Sequence, residues 1–166
     1  MSQASGGAWQ AGSALTLTGG QLTLDGAAGA QTVTVSGGRV SGAGRWQATG
    51  DLTLDGRETV EWDGALLAGG GLTVGAASLR NGGQIQSDGS LAVMLAGGLS
   101  NSGTLAANGD TVLTLGGLDN RGTVSALGRL TVQGATLDNG GQLAGGDALT
   151  LSGDYAGRVV FTATGR

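Results

Sequence analysis

The stretch from Leu118 to Leu143, LDNRGTVSALGRLTVQGATLDNGGQL, holds the pattern that decides the fold. It begins and ends on the same unit, Leu-x-Asn-x-Gly-x-aliphatic, with a short apolar triplet (130–132) between the two copies. Two further copies precede it, and the asparagines of the four copies recur at nearly equal steps along the chain. A fixed period of about 20 residues indicates a repeat architecture. The four copies begin at Leu79, Leu99, Leu118 and Leu137.

The amino-terminal half carries weaker copies of the same unit. A Gly-Gly-x-aliphatic step occurs at Leu22 and Val40, and a related Gly-x-x-x-Val step leads to Val60. Joined to the later copies, the aliphatic positions form the series 22, 40, 60, 85, 105, 124 and 143, with 160 as the last. The longer step from 60 to 85 predicts a bulge or an extra loop around 63–71. About eight copies therefore fill the chain.

Most copies also contain an apolar-Thr-apolar triplet, such as 15–17, 52–54 or 113–115. Such alternation is the period of a half-buried β-strand. The Gly-Gly, Asp-Gly and Asn-Gly pairs between triplets predict tight turns in which glycine adopts a positive φ. No stretch has the apolar spacing of an amphipathic helix. The chain is therefore predicted to be all-β.

The repeat length selects the architecture. β-Sandwiches use longer strands, and propeller blades need about 40–45 residues each. Three short strands in a coil of about 20 residues, stacked on the next coil by parallel pairing, form a β-solenoid. With neighbouring coils ~4.8 Å apart, eight coils make a rod of ~38 Å whose leucine, valine and isoleucine side chains stack in internal columns.

The recurring asparagine lies at a corner of each coil. Strict alternation points Leu79 and Asn81 inward and Arg80 outward. An inward amide can hydrogen-bond to the same amide one coil away, which predicts a structural corner ladder. Ligand binding is the alternative role, and regular recurrence favours the structural one. The ladder residues are Asn81, Asn101, Asn120 and Asn139.

The unit and its intervening Leu-Thr-Leu triplet resemble the filamentous haemagglutinin repeat, most clearly over residues 79–151 and more weakly back to about residue 12. The resemblance implies a right-handed parallel β-helix that forms the shaft of a two-partner-secretion exoprotein of Gram-negative bacteria. Such exoproteins include adhesins and contact-dependent growth inhibition toxins. It also implies display at the cell surface, a dedicated outer-membrane transporter acting through a region absent from this chain, and a receptor or glycan on a host or target cell.

These considerations predict the organisation of the chain. We expect an irregular leader or artificial start over 1–11, and a single β-helix over 12–166. Within it, 12–78 are degenerate coils, 79–151 are regular coils and 152–166 form a terminal coil. We expect an excised piece, because the secretion domain and effector region of such exoproteins are missing. Exposed strand edges at the two ends predict end-to-end self-association. An autotransporter passenger and a carbohydrate-binding or carbohydrate-processing β-helix are the alternatives.

Composition restricts the chemistry. The 166 residues include 37 Gly but no Cys and no His, which excludes zinc fingers, disulfides and thiol or imidazole catalysis. A net charge of −4 argues against nucleic-acid binding. The densest acidic stretch has the residue type that glycoside hydrolysis uses, but turn and exposed-strand positions favour a structural role. We therefore expect no enzymatic activity, no cofactor and no metal. These carboxylates are Asp51, Asp55, Glu58, Glu61 and Asp63.

Aromatic residues are the remaining candidates for contact with a ligand. Trp46 and Trp62 lie in the degenerate half, where they either stack on sugars at the surface or fill the interior. The threonines of the triplets are predicted to point outward, as good strand residues, without the two-per-coil array of ice-binding solenoids. These threonines are Thr16, Thr23, Thr34, Thr53, Thr73, Thr114, Thr131 and Thr150.

Overall fold

The computed structural model describes residues 2–3, 6–155 and 161–163, and every regular element in this part of the chain is a β-strand. In the first half of the chain, long strands of 10 or 11 residues alternate with short strands of four residues, so each coil contains one of each. The strands are β1 (Ser2–Gln3), β2 (Ala8–Gln10), β3 (Ala14–Leu24), β4 (Ala27–Ala30), β5 (Thr32–Gly42), β6 (Arg45–Ala48), β7 (Leu52–Trp62), β8 (Ala65–Ala68), β9 (Leu72–Asn81), β10 (Gln84–Ser87), β11 (Leu91–Leu95), β12 (Gly98–Asn101), β13 (Thr104–Ala107), β14 (Thr111–Thr114), β15 (Gly117–Asn120), β16 (Thr123–Ala126), β17 (Arg129–Asn139), β18 (Gln142–Gly145), β19 (Ala148–Tyr155) and β20 (Phe161–Ala163).

Every strand pairing among the described residues is parallel and joins a strand to its equivalent in the neighbouring coil. Seven successive pairings connect β3, β5, β7, β9, β11, β14, β17 and β19. A second sheet runs through β2, β4, β6, β8, β10, β13, β16, β18 and β20. The chain is thus a stack of about eight coils, and the predicted β-solenoid is confirmed.

Each coil has three arms. The first arm carries the apolar triplet, the second ends on the corner asparagine or its equivalent, and the third is a short strand such as β8. In coils five and six the first two arms are separate strands, β11 with β12 and β14 with β15. In most other coils one long strand, such as β7, supplies both arms around a bend.

Parallel register stacks the inward side chains into columns, and these columns are the hydrophobic core. Leu52, Leu72 and Leu91 follow one another in the first arm, and each is 1% exposed. The second arm stacks Leu79, Leu99 and Leu118 in the same way. Because each side chain is covered from above, below and across, few apolar residues per coil suffice.

The single series of aliphatic positions predicted above is wrong, because it joins two different columns. Val60 pairs with Leu79 in the second arm, whereas Ile85 pairs with Leu66 in the third. The long step from 60 to 85 therefore disappears, and the loop predicted around 63–71 contains the regular strand β8 instead. Gly-Gly pairs precede aliphatic residues at two different corners, so the pattern matched both. Phe161 pairs with Leu143, and Val160 lies outside the described residues.

The triplet at 113–115 is displaced by two positions from its neighbours. Thr111, not Leu113, pairs with Leu91, and Leu113 pairs with Val93. Since the side-chain period of a strand is two, the displacement keeps the same residues inside. Thr111 is fully buried, and its hydroxyl donates to the carbonyl of Ser125 at 3.4 Å.

Strand pairing also starts earlier than the expected irregular leader allows. Ala8–Gln10 pairs with the third-arm strand β4, and Ser2–Gln3 pairs with the end of β3. The stack therefore includes part of the segment 1–11.

The corner glycines do not adopt the positive φ predicted for them. Among the described residues only Gly6 and Gly153 have a positive φ. The Gly of the Leu-x-Asn-x-Gly unit is required for space instead: a Cβ built on Gly103 would collide with the carbonyl oxygen of Gly83 one coil below. The same collision recurs at Gly122 and Gly141. Close stacking of backbone at this corner, rather than left-handed geometry, explains why glycine recurs at the same place in the repeat.

Candidate functional site

The four corner asparagines form a continuous chain of hydrogen bonds along the rod. Nδ2 of Asn81 donates to Oδ1 of Asn101 at 2.9 Å, and Asn101 donates to Asn120 at 2.8 Å. Asn120 donates to Asn139 at 2.7 Å. All four side chains are at most 1% exposed. The structure therefore brings all four predicted ladder residues together inside the core.

Each amide also binds the backbone of the next coil. Nδ2 of Asn81, Asn101 and Asn120 donates to the carbonyls of Thr104, Thr123 and Gln142 at 3.1, 3.2 and 3.1 Å. Two hydrogen bonds donated by a ladder amide thus cross each interface between ladder coils. Because the amides are buried and bonded in this way, they offer no group to an external ligand.

In the coils that precede Asn81 in the sequence, the ladder column contains no asparagine. The position in register with Asn81 is Trp62, and the one below that is Gly42. A Cβ on Gly42 would lie 2.7 Å from Cζ3 of Trp62, so the indole occupies the space above this glycine. The ladder therefore ends on an aromatic ring.

The candidate surface role of Trp46 and Trp62 is wrong. Both side chains are 0% exposed, and neither can stack on a sugar or touch a receptor. Trp46 instead packs edge-to-face against Trp9, with ring centroids 5.9 Å apart. The Nε1 atoms of Trp46 and Trp62 are buried without a hydrogen-bond partner. Small neighbours, including Ala28 in register with Trp46, leave room for these rings inside the degenerate coils.

The acidic stretch does not converge on one site. Asp51 accepts a hydrogen bond from the backbone N–H of Gly71 at 2.8 Å, which is the role of a turn residue. Glu58 pairs with Arg39 at 3.0 Å. Asp55 lies on the first arm beside Ser36 and Gly75, and Glu61 lies on the second arm beside Arg80. Asp63 lies at the corner before the third arm, close to Gly82 of the next coil. No hydrogen bond in the described part of the chain joins two of these carboxylates.

Glu61 does contribute to a shallow groove on the outer face of the second arm. The groove has a volume of about 560 Å³ and crosses five coils from Thr59 to Asp138. Its floor is low because Gly98 and Gly117 carry no side chain. The groove presents hydroxyl, carboxylate and guanidinium groups, and Asp55 and Glu58 are not part of its lining.

A cluster of two ion pairs at this groove was not predicted from the sequence. Asp119 and Asp138 lie directly opposite each other on adjacent coils, and Arg121 bridges them at 2.9 and 2.8 Å. Like charges in this position repel, and the guanidinium between them offsets that repulsion. The signal is visible in the sequence, since Leu-Asp-Asn occurs at both 118–120 and 137–139 with an Arg after the first.

The triplet threonines fall into more than one outward column. Thr16, Thr34, Thr53 and Thr73 stack in register on the first arm. Ala92 and Val112 interrupt this column before Thr131 and Thr150 resume it. Thr23 and Thr114 belong to other columns. Six of the eight triplet threonines thus share one column of hydroxyl groups, which is interrupted at two positions.

The described residues contain no group of three or more His, Cys, Asp or Glu side chains arranged to hold a metal ion. Over the same ranges there is no helix with the length and apolarity needed to cross a bilayer.

A stack of parallel coils with one corner asparagine in each regular coil defines a class of repeat protein. The haemagglutinin repeat family matches residues 1–28, 26–103 and 68–166, so the chain belongs to this family, and the resemblance inferred from the sequence is confirmed.

A curated relative gives a more particular likeness. The chain is 47% identical over 130 residues to the deoxyribonuclease CdiA of Dickeya dadantii strain 3937. The match covers 65% of this chain but only 4% of that relative. It therefore concerns a repeat region and not the whole of the larger protein. No solved structure matches the chain.

Proposed function

We propose that this chain is a non-enzymatic shaft segment of a large two-partner-secretion exoprotein. The supporting observation is the unbroken parallel stack from β3 to β19, to which every coil contributes the same three arms. In such a stack, hydrogen bonds between coils run along the rod and the apolar columns are continuous. The length of the rod can therefore change by whole coils while its cross-section stays the same.

The proposal extends to the setting of the exoprotein. Membership of the haemagglutinin repeat family and the likeness to CdiA support secretion to the bacterial surface and a role in adhesion or contact-dependent inhibition. An outer-membrane transporter would recognise a region outside this chain, and a receptor or glycan would contact a distal region. The dispersed carboxylates and the buried tryptophans support a spacer role for the segment itself.

Coil duplication tests the shaft. Leu149 stands in the same column as Leu72, four coils later, so residues 72–148 can be duplicated without a change of register. Within a two-partner-secretion exoprotein that carries a distal epitope, we expect normal export and a membrane-to-epitope distance about 19 Å greater, from four steps of ~4.8 Å. Electron cryotomography of labelled cells measures this distance.

A duplication of 72–137 is the matched control. In this variant residue 137 of a second arm is followed directly by residue 72 of a first arm, so one third arm is missing and the register between coils is broken. Display of the epitope at the cell surface should therefore fall. If instead the in-register duplication abolished display or activity while the control did not, the shaft role would be wrong. Export through a covalently attached carboxy-terminal barrel would favour the autotransporter alternative.

A further inference from the structure

We infer that the rod opens in two stages, with the coils up to Trp62 opening before the coils joined by the asparagine ladder. The boundary lies between Trp62 and Asn81, which are adjacent in one column. This inference concerns the fold itself and does not depend on the shaft role.

The first observation is the distribution of polar bonds between coils. Between Asn81 and Asn139, every interface carries an amide-to-amide bond and an amide-to-backbone bond inside the core. In the same column below the boundary stand Trp62, Gly42 and Leu24. None of these three residues has a side chain that can accept a hydrogen bond from a neighbouring coil.

The second observation is a penalty on the amino-terminal side. The buried N–H groups of Trp46 and Trp62 have no partner, and they are the buried side-chain polar atoms without one in the described residues. A donor that is bonded to water in the open state and unbonded in the closed state favours opening. Both indoles lie below the boundary.

Exposed side-chain bonds between coils occur in both parts, such as Arg39–Glu58 and Asn108–Asp88. Backbone pairing is parallel and continuous across the boundary, and the leucine and valine columns of the first arm pass through it. In a solenoid, stability is approximately a sum over coils and nearest-neighbour interfaces. A difference in interface strength therefore separates the stack into two cooperative units.

Native-state hydrogen exchange of the intact chain tests the inference. Coil three (52–62) and coil six (111–120) each have two full coils between them and the nearer end of the described stack. The partial coil formed by 2–3 and 8–10 adds protection on the side of coil three, so fraying does not favour the expected difference. We expect strand amides of coil six to exchange about tenfold or more slowly than those of coil three, and to require more denaturant to open.

Two variants assign the difference to the ladder. Asn101→Ala removes bonds at both interfaces of its coil and should bring the exchange of coil six close to that of coil three. Asn120→Ala likewise removes the bond donated to Asn139 and the acceptor of Asn101, and should speed exchange in coil six while leaving coil three unchanged. Asn108→Ala, at an exposed amide, is the control and should leave both coils unchanged. Equal exchange in coils three and six of the unmodified chain, or slower exchange in coil three, would overturn the inference even if a variant failed to fold.

Discussion

At the scale of single residues, the core of this rod is distinguished by its buried amides. A buried amide without partners destabilises a fold, whereas a saturated one contributes about 0.5–1.5 kcal/mol per hydrogen bond. The ladder satisfies this requirement by repetition, because Asn101 and Asn120 each donate to the next coil and accept from the preceding one. One asparagine alone would lack this arrangement.

Asn120→Ala should therefore lower the free energy of unfolding by about 1–3 kcal/mol. The change removes the bond that Asn120 donates to Asn139 and leaves Nδ2 of Asn101 without its amide acceptor. Urea unfolding followed by circular dichroism measures the effect. Asn108→Ala is the control, because Asn108 is exposed and makes one side-chain bond of 3.3 Å, to Asp88. Equal losses for the two variants would contradict a stabilising ladder.

The corner glycines matter because they lack a side chain, which allows the backbones of adjacent coils to approach closely. Gly103→Ala should destabilise the chain by about 1–3 kcal/mol, because the new Cβ meets the backbone carbonyl of Gly83 and the coils must move apart. In Gly20→Ala the Cβ meets nothing within 4 Å. That variant should be neutral or gain a few tenths of a kcal/mol from reduced freedom of the unfolded chain. Thermal melting compares the two, and a harmless Gly103→Ala would refute the steric explanation.

At the scale of strands, coils of slightly different length keep their columns aligned by bulging at a corner. The step from the first-arm to the second-arm column is one residue longer in the coil of Leu52 than in the coils of Val33 and Leu72. The register shifts at Gly56/Thr59 absorb the extra residue. Arg57 and Glu58 occupy this exposed corner.

Deletion of Arg57 should consequently be tolerated, with a change in unfolding free energy within about 1 kcal/mol. The deletion gives this coil the same spacing as its neighbours, and the nearby Arg39–Glu58 pair is too exposed to contribute much. Deletion of Thr53 is the counterpart. It reverses the direction of either Leu52 or Leu54, which are both buried, so the coils up to Trp62 should not fold. Circular dichroism and proteolysis separate the outcomes, and similar behaviour of both deletions would argue against the bulge.

At the scale of the whole molecule, the ends of the stack differ from its middle. In the described residues, 15–18 pair only with 33–36, and 149–152 pair only with 130–133. Leu15, Leu149 and Leu151 are incompletely buried against the core. Both ends therefore present an open strand edge beside apolar side chains, which is a template for a further coil.

Thr16→Lys should accordingly weaken end-to-end association, which the isolated chain is expected to show as a mass that rises with concentration in sedimentation experiments. A lysine on an edge strand resists pairing because its charge must remain solvated. Thr73→Lys is the matched control, since Thr73 occupies the same outward column within the stack. A strictly monomeric parent chain at high concentration, or equal effects of the two variants, would refute this prediction.

The period, the strand class and the inward residues of the regular coils are predictable from the amino-acid sequence alone. These features are local, since alternation within a triplet and recurrence at a fixed step follow directly from the pleat and from stacking. The asparagine ladder was predictable for the same reason: identical side chains one coil apart must meet.

The assignment of corners to a common column, by contrast, requires the three-dimensional arrangement of the coils. Ile85 and Val60 follow similar glycine patterns, yet they lie on different arms, because register depends on how all three arms close into one coil. The tertiary structure also decided the location of Trp46 and Trp62, since room for an indole comes from small neighbours such as Ala28 and Gly42 in adjacent coils. Contacts between neighbouring coils set both outcomes, and such contacts are not encoded in any local stretch of sequence.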